Sequence, residues 1–117
     1  MYQDIIKNVP LFAELEVAEI IFIVKNLETD IYLPDDYIIH DEEVGNEMYF
    51  LIDGVAKIVL KSQENSDIFI KKGEYFGEIA LIIDSKRTAD VISVDFTICE
   101  KFSRERYEKL NLEFPEI

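Results

Sequence analysis

From Ile31 onward the sequence breaks into short β-branched and aromatic segments, Tyr37–Ile39, Met48–Ile52, Val55–Leu60, Asp67–Ile70 and Asp90–Val94, each separated from the next by turn residues. That spacing predicts an antiparallel all-β body. Asp53-Gly54, between the second and third segments, is a two-residue hairpin signal, because both central positions of such a turn need positive φ. Gly73, three residues before Phe76, marks another turn. The flanks have a different texture. Ile5 and Ile6 precede Pro10, and Leu15, Ala18, Ile21, Phe22 and Val24 follow a helical apolar period through Leu27, which predicts two short helices broken at Val9-Pro10. After Phe102, Ser103 is positioned as an N-cap, Glu105 falls in the first turn, and Tyr107, Leu110 and Phe114 share one face of a closing helix. The order is therefore helix, sheet, helix, with no internal repeat, low-complexity tract or linker.

A chain of 117 residues supports one core and is too short for a two-domain enzyme. Its 49% hydrophobic content, with eight Phe and six Tyr, is that of a folded globule. Twenty-five acidic against 12 basic side chains give a net charge of −13, which repels nucleic acid polymers and anionic lipid alike. The charge is uneven: residues 1–60 carry 13 acids and 3 bases, residues 61–117 carry 12 acids and 9 bases. An anion would therefore be held most readily near Lys71, Lys72, Lys86 and Arg87, although Lys71 and Lys72 read rather as a solvated face. The single Cys99 rules out an internal disulfide and fits a reducing compartment. The longest apolar runs, Ile20–Val24 and Ile79–Ile83, are far below the roughly 18 residues needed to span a bilayer, and the first residues lack a secretory n-region. The chain reads as cytoplasmic, without membrane insertion of its own.

Chemistry concentrates in the stretch from Tyr75 to Val91. Gly77 opens a short apolar helix over Glu78–Ile82, and glycine lets a ligand approach the backbone while the first helical amides point at an anion. Arg87 supplies a planar fork matched to two phosphate oxygens. A carboxylate beside a phosphate needs a neutral donor, so Glu78 fits a ribose hydroxyl. Thr88 offers a hydroxyl, and Ala89 keeps the next position small. From spacing alone, a structural ion pair between Glu78 and Arg87 across a turn is an open alternative.

The segment Phe76-Gly77-Glu78-Ile79-Ala80-Leu81, followed nine residues after the glutamate by Arg87-Thr88-Ala89, resembles the phosphate-binding cassette of the cyclic nucleotide-binding domain family. Val9-Pro10-Leu11-Phe12, Leu33 to Ile39 and Val44 to Gly54 resemble further family landmarks in the same order, so the likeness covers nearly the whole chain. Met48-Tyr49-Phe50 and Glu113-Phe114-Pro115 are most similar to the cytoplasmic sensors of cyclic nucleotide-gated and hyperpolarisation-activated cation channels. Kinase regulatory subunits usually show Pro-Arg-Ala-Ala where this chain has Lys86-Arg87-Thr88-Ala89.

The resemblance implies a mainly β fold, an antiparallel β-roll (a flattened jelly roll), over residues 29–102, with N-terminal helices over 1–28, the cassette at 75–91 and a C-terminal helix over 103–117. It implies that cAMP or cGMP is the ligand and that the rest of a parent protein, a channel pore or a kinase domain, is the partner. Arg87 would neutralise the phosphate and Glu78 would hold the ribose 2′-hydroxyl. Gly77, Ile79 and Ala80 would present backbone groups, with Phe76 and Ala89 beside them. Thr88 would meet the phosphate or a guanine amino group. Val59 and Phe69 or Ile70 would form an apolar wall.

Two family glycines are replaced, by Asp35 and Glu42, which puts local turn geometry in question. In the family a lid helix follows the Phe114-Pro115 region, and since this sequence ends at Ile117, reduced affinity and base selectivity are expected. A structural module of the same fold that binds nothing is the alternative from a different class, but the cassette residues are intact.

Catalysis has no candidates. His40 is the only histidine and sits among Asp41, Glu42 and Glu43 beside an expected turn, Cys99 lies in a strand-like segment, and the acids near Glu47 lack the spacing of a calcium loop. No metal site and no cofactor are expected.

Overall fold

The computed structural model describes residues 2–61 and 68–115. Helix α1 (Tyr2–Lys7) leads through a 3-10 turn at Pro10–Phe12 to α2 (Val17–Lys25). Eight strands follow: β1 (Glu28–Tyr32), β2 (Tyr37–Ile39), β3 (Glu47–Asp53), β4 (Val55–Val59), β5 (Ile68–Lys71), β6 (Tyr75–Phe76), β7 (Asp90–Ser93) and β8 (Thr97–Ser103). Helix α3 (Arg104–Glu113) closes the chain, capped as expected by the Ser103 hydroxyl, which accepts from the Arg106 amide at 3.2 Å. The segment predicted at Asp67–Ile70 is seen as β5 from Ile68, Asp67 lying outside the described residues. β1 and β6 lie outside the strand segments marked by the sequence.

All strand pairs are antiparallel, in two four-stranded sheets ordered β1-β8-β3-β6 and β2-β7-β4-β5. β3 is buried on both faces, which explains its nearly unbroken apolar run. Met48 and Phe50 face a core with Ile6, Phe12, Ile23, Phe102 and Leu110 under the helices, while Tyr49 and Leu51 face a second core with Ile39, Ala56, Val91 and Cys99 inside the roll.

Asp53-Gly54 is not a hairpin. β3 and β4 belong to different sheets, and the dipeptide is the corner between them. Only Gly54 has positive φ, +96°. A Cβ there would collide with the Phe96 carbonyl and lie 2.7 Å from Thr97 Cα, so the glycine serves a close backbone crossing with the segment entering β8.

The buried face of α2 also differs from the sequence expectation. Ile20 and Ile23 point inward, whereas Val17, Ile21 and Val24 are exposed. The helix stops at Lys25, before Leu27, where the Asn26 side-chain amide donates to the Phe22 carbonyl at 2.8 Å.

Asp35 and Glu42 keep the turns that the missing glycines would have made. Their φ values are +71° and +69°, held by an Asp35 N–H bond to the Ser93 carbonyl at 2.8 Å and a Glu42 N–H bond to the Arg87 carbonyl at 2.9 Å. A side chain in the left-handed region is strained, so Asp35→Gly and Glu42→Gly are each expected to stabilise the fold by about 1 kcal/mol, read as a higher urea midpoint. The exposed Glu42–Lys61 pair lost in the second variant subtracts little.

Candidate functional site

The cassette starts where β6 meets Gly77, whose φ of +79° turns the chain out of the sheet. A 3-10 turn at Glu78–Leu81 follows, one residue shorter than expected, with Ala80 and Leu81 buried and Ile79 facing outward. The first amides of such a turn have no partner within it. Tyr49 stacks on Phe76 with ring centroids 5.0 Å apart and fixes the ring beneath the cassette. From the other side, Arg104 Nε donates to the Ala80 carbonyl at 2.8 Å and its Nη1 pairs with Asp84, tying the turn to the first residue of α3.

The second half of the cassette is held against the loop before β3. Val44 bridges to Lys86, the Arg87 amide donates to the Glu43 carbonyl at 2.7 Å, and the Arg87 carbonyl accepts from Glu42. The Arg87 side chain is thereby brought back toward Gly77. Its Nη2 donates to the Glu47 carbonyl at 2.6 Å and its Nη1 to the Gly77 carbonyl at 3.4 Å.

Among the described residues Arg87 forms no ion pair, whereas Lys101 pairs with Asp30, Arg104 with Asp84 and Arg106 with Glu28. Burial pulls the Arg87 pKa below its ordinary value, and Tyr49, Glu47 and Glu78 oppose the shift. A half-buried cation with carbonyl partners but, among the described residues, no carboxylate is arranged to receive an anion. No ion pair joins it to Glu78 among the described residues, so the structural-pair alternative is not what the fold adopts.

A cavity of about 280 Å3 opens beside this guanidinium, close to the lower bound of about 300 Å3 for small-molecule sites. Every expected site residue lines it: Phe76, Gly77, Glu78, Ile79, Ala80, Arg87, Thr88 and Ala89. Ser85 and Lys86 join them from the cassette. The apolar wall differs from the expectation, consisting of Ile39, Ile58, Leu60 and Val91 rather than Val59, Phe69 or Ile70. Strand alternation is the reason: Ile58 turns toward the cavity, which puts its neighbour Val59 on the opposite face, while Phe69 is exposed and Ile70 is spent in the roll core. Lys71 and Lys72 are exposed and do not line the cavity, in keeping with a solvated face.

The residues considered for nucleophilic or metal chemistry lie elsewhere. His40 is exposed and stacks on Tyr37 at 4.6 Å. Cys99 is fully buried, and burial, with Asp30 and Glu100 adding, pushes its thiol pKa from 9.0 up to about 12. Native Cys99 is therefore expected to resist Ellman's reagent at pH 8, while the urea-unfolded chain reacts freely. Because the folded thiol holds its proton more tightly than the unfolded one, this contribution to stability is complete below pH 9.0 and is lost as pH rises through about 12, which alkaline unfolding would register.

The model of the family described as "Cyclic nucleotide-binding domain" matches residues 30–112. The chain belongs to the cyclic nucleotide-binding domain family. Potassium/sodium hyperpolarization-activated cyclic nucleotide-gated channel 1 from Oryctolagus cuniculus is 31% identical over 113 residues, covering 97% of this chain and 13% of the channel. Channel 2 of the same name from Mus musculus is 29% identical over 113 residues, again covering 97% of this chain and 13% of the channel. The chain thus spans about an eighth of the curated relatives it matches. The N-terminal domain of a transcriptional regulator from Streptomyces coelicolor A3(2) superposes with a TM-score of 0.85 over 97% of this chain and 81% of that one, at 19% identity. That likeness establishes the β-roll fold. Among the described residues no helix of this cyclic nucleotide-binding domain is long and apolar enough to cross a membrane.

Proposed function

We propose that this domain senses a cyclic nucleotide, cAMP or cGMP, and serves as the cytoplasmic ligand-gating module of a cation channel, catalysing nothing itself. The observation that carries the reading is the half-buried Arg87 guanidinium, held by two carbonyls, without a carboxylate partner among the described residues, at the wall of a cavity that also contains Glu78. Arg87 neutralises the cyclic phosphate through two parallel N–H bonds. Glu78 accepts from the ribose 2′-hydroxyl. The backbone of Gly77, Ile79 and Ala80 contacts the phosphate, and Thr88 adds a hydroxyl to the phosphate or to a guanine amino group. Ile39, Ile58, Leu60 and Val91 receive the base and sugar edges.

Similarity to hyperpolarization-activated channels over 97% of the chain supports a channel parent, and Lys86 in place of the proline usual in kinase subunits supports it further. The residues 1–117 act in this reading as one sensing unit. Ile79, at the cavity wall, and Ile82 and Ile83, which follow it in the chain, stand exposed and offer an apolar seat to a covering helix, of the kind the family places after the Phe114-Pro115 region. Occupancy biases two arrangements of the cassette and α3, connected through Arg104, and the tethered effector responds to that bias.

Calorimetry with cAMP and with cGMP tests the proposal. Saturable binding of at least one nucleotide is expected, and no heat with either at millimolar concentration would overturn it.

A further inference from the structure

We infer that Gly45 is a positioning residue for Arg87: it is glycine because the Arg87 guanidinium occupies the space a side chain would fill. Gly54, Gly73 and Gly77 all have positive φ, so their backbones call for glycine. Gly45 does not have positive φ, and it is buried. The three atoms nearest a Cβ built on it are Nε, Cζ and Nη2 of Arg87, and all of them overlap it. A Cβ on Gly77 would approach Arg87 Nη1 to 2.8 Å. The guanidinium therefore adjoins two glycines, with Glu47 and Gly77 carbonyls fixing its donors. A small polar hollow of about 100 Å3 next to Gly45, lined also by Asn46, Glu47 and Tyr49, continues behind the arginine.

The colliding atoms are the far end of a flexible side chain, so an alanine at position 45 is accommodated by moving Arg87 rather than by distorting the fold. The cost consequently falls on ligand binding. This affinity consequence rests on the nucleotide reading proposed above, whereas the side-chain displacement does not.

Three measurements on Gly45→Ala test the inference. The ligand-free melting temperature is expected to change by less than about 4 °C. The Arg87 Nε–Hε resonance should shift or lose its protection from exchange in ligand-free protein. Nucleotide affinity should fall by about tenfold or more, as expected for losing charge-assisted bonds, with little further fall when the substitution is made in an Arg87→Lys background, where no guanidinium is displaced. An unchanged Arg87 resonance, an unchanged affinity in a binding-competent parent, an equal loss in the lysine background, or failure of the variant to fold would each overturn the inference. A parent that binds no nucleotide while its Arg87 resonance responds to Gly45→Ala would uphold the positioning role and overturn the nucleotide reading instead.

Discussion

Replacing Arg87 with alanine is expected to weaken cyclic nucleotide binding by about 2–5 kcal/mol, the cost of leaving a buried charge without its partner. At 1.4 kcal/mol per decade this is a loss of roughly thirty-fold to several thousand-fold. The expectation is large because the protein offers the anion so little else. With a net charge of −13, the surroundings oppose a phosphate. Folding itself should be far less affected, since the side chain's own partners are two backbone carbonyls and no carboxylate among the described residues. Glu78→Gln should cost less than Arg87→Ala, because it removes a charge from one hydrogen bond to a neutral hydroxyl rather than a counter-ion. Calorimetry on both variants beside the parent measures the difference, and an alanine variant that binds as tightly as its parent would remove the assigned role.

Phe102→Ala carries the largest expected loss of stability, about 3–5 kcal/mol. Its ring is fully buried on β8 and meets Phe12 edge-on, with centroids 6.2 Å apart and planes at 82°. Phe12 in turn contacts Tyr107 of α3. The deletion therefore opens a cavity at the point where the N-terminal 3-10 turn, the first sheet and the last helix meet, and relaxation of one element pulls on the other two. Against a typical total of about 5–15 kcal/mol, this leaves a marginal domain. Urea unfolding followed by far-ultraviolet circular dichroism should show a much lower midpoint. A shift worth less than about 1 kcal/mol would mean that the three elements close over the void.

The local signals were legible and the long-range ones were not. Ser103, Gly73 and Gly77 each set a local cap or backbone turn, and each such feature appears where the sequence placed it. The cassette was legible because its chemistry is compressed between Phe76 and Ala89. Asp53-Gly54 misled because a hairpin and a corner between sheets share the same local need for a left-handed residue, and the distinction depends on Phe96 and Thr97, more than forty residues away. β1 is hidden in the sequence because Glu28, Thr29 and Asp30 show no apolar alternation, yet they pair with Lys101, Glu100 and Cys99. Gly45 is the same kind of case: nothing near it in sequence demands a glycine, and its reason stands at Arg87. The inward face of α2 depended on which neighbours β3 and α3 presented, which periodicity over a short helix does not encode.

The sheet order carries a consequence for how the protein comes into being. β8 lies between β1 and β3, and β7 lies between β2 and β4. Each sheet is therefore completed at its middle by a strand from the last quarter of the chain. A nascent polypeptide emerging from the ribosome can pair β4 with β5 and β3 with β6, but β1 and β2 have no neighbour until residues 90–103 are out. Neither sheet can close until that segment has emerged, and the exposed strand edges of the unfinished chain are the natural targets for a holding chaperone.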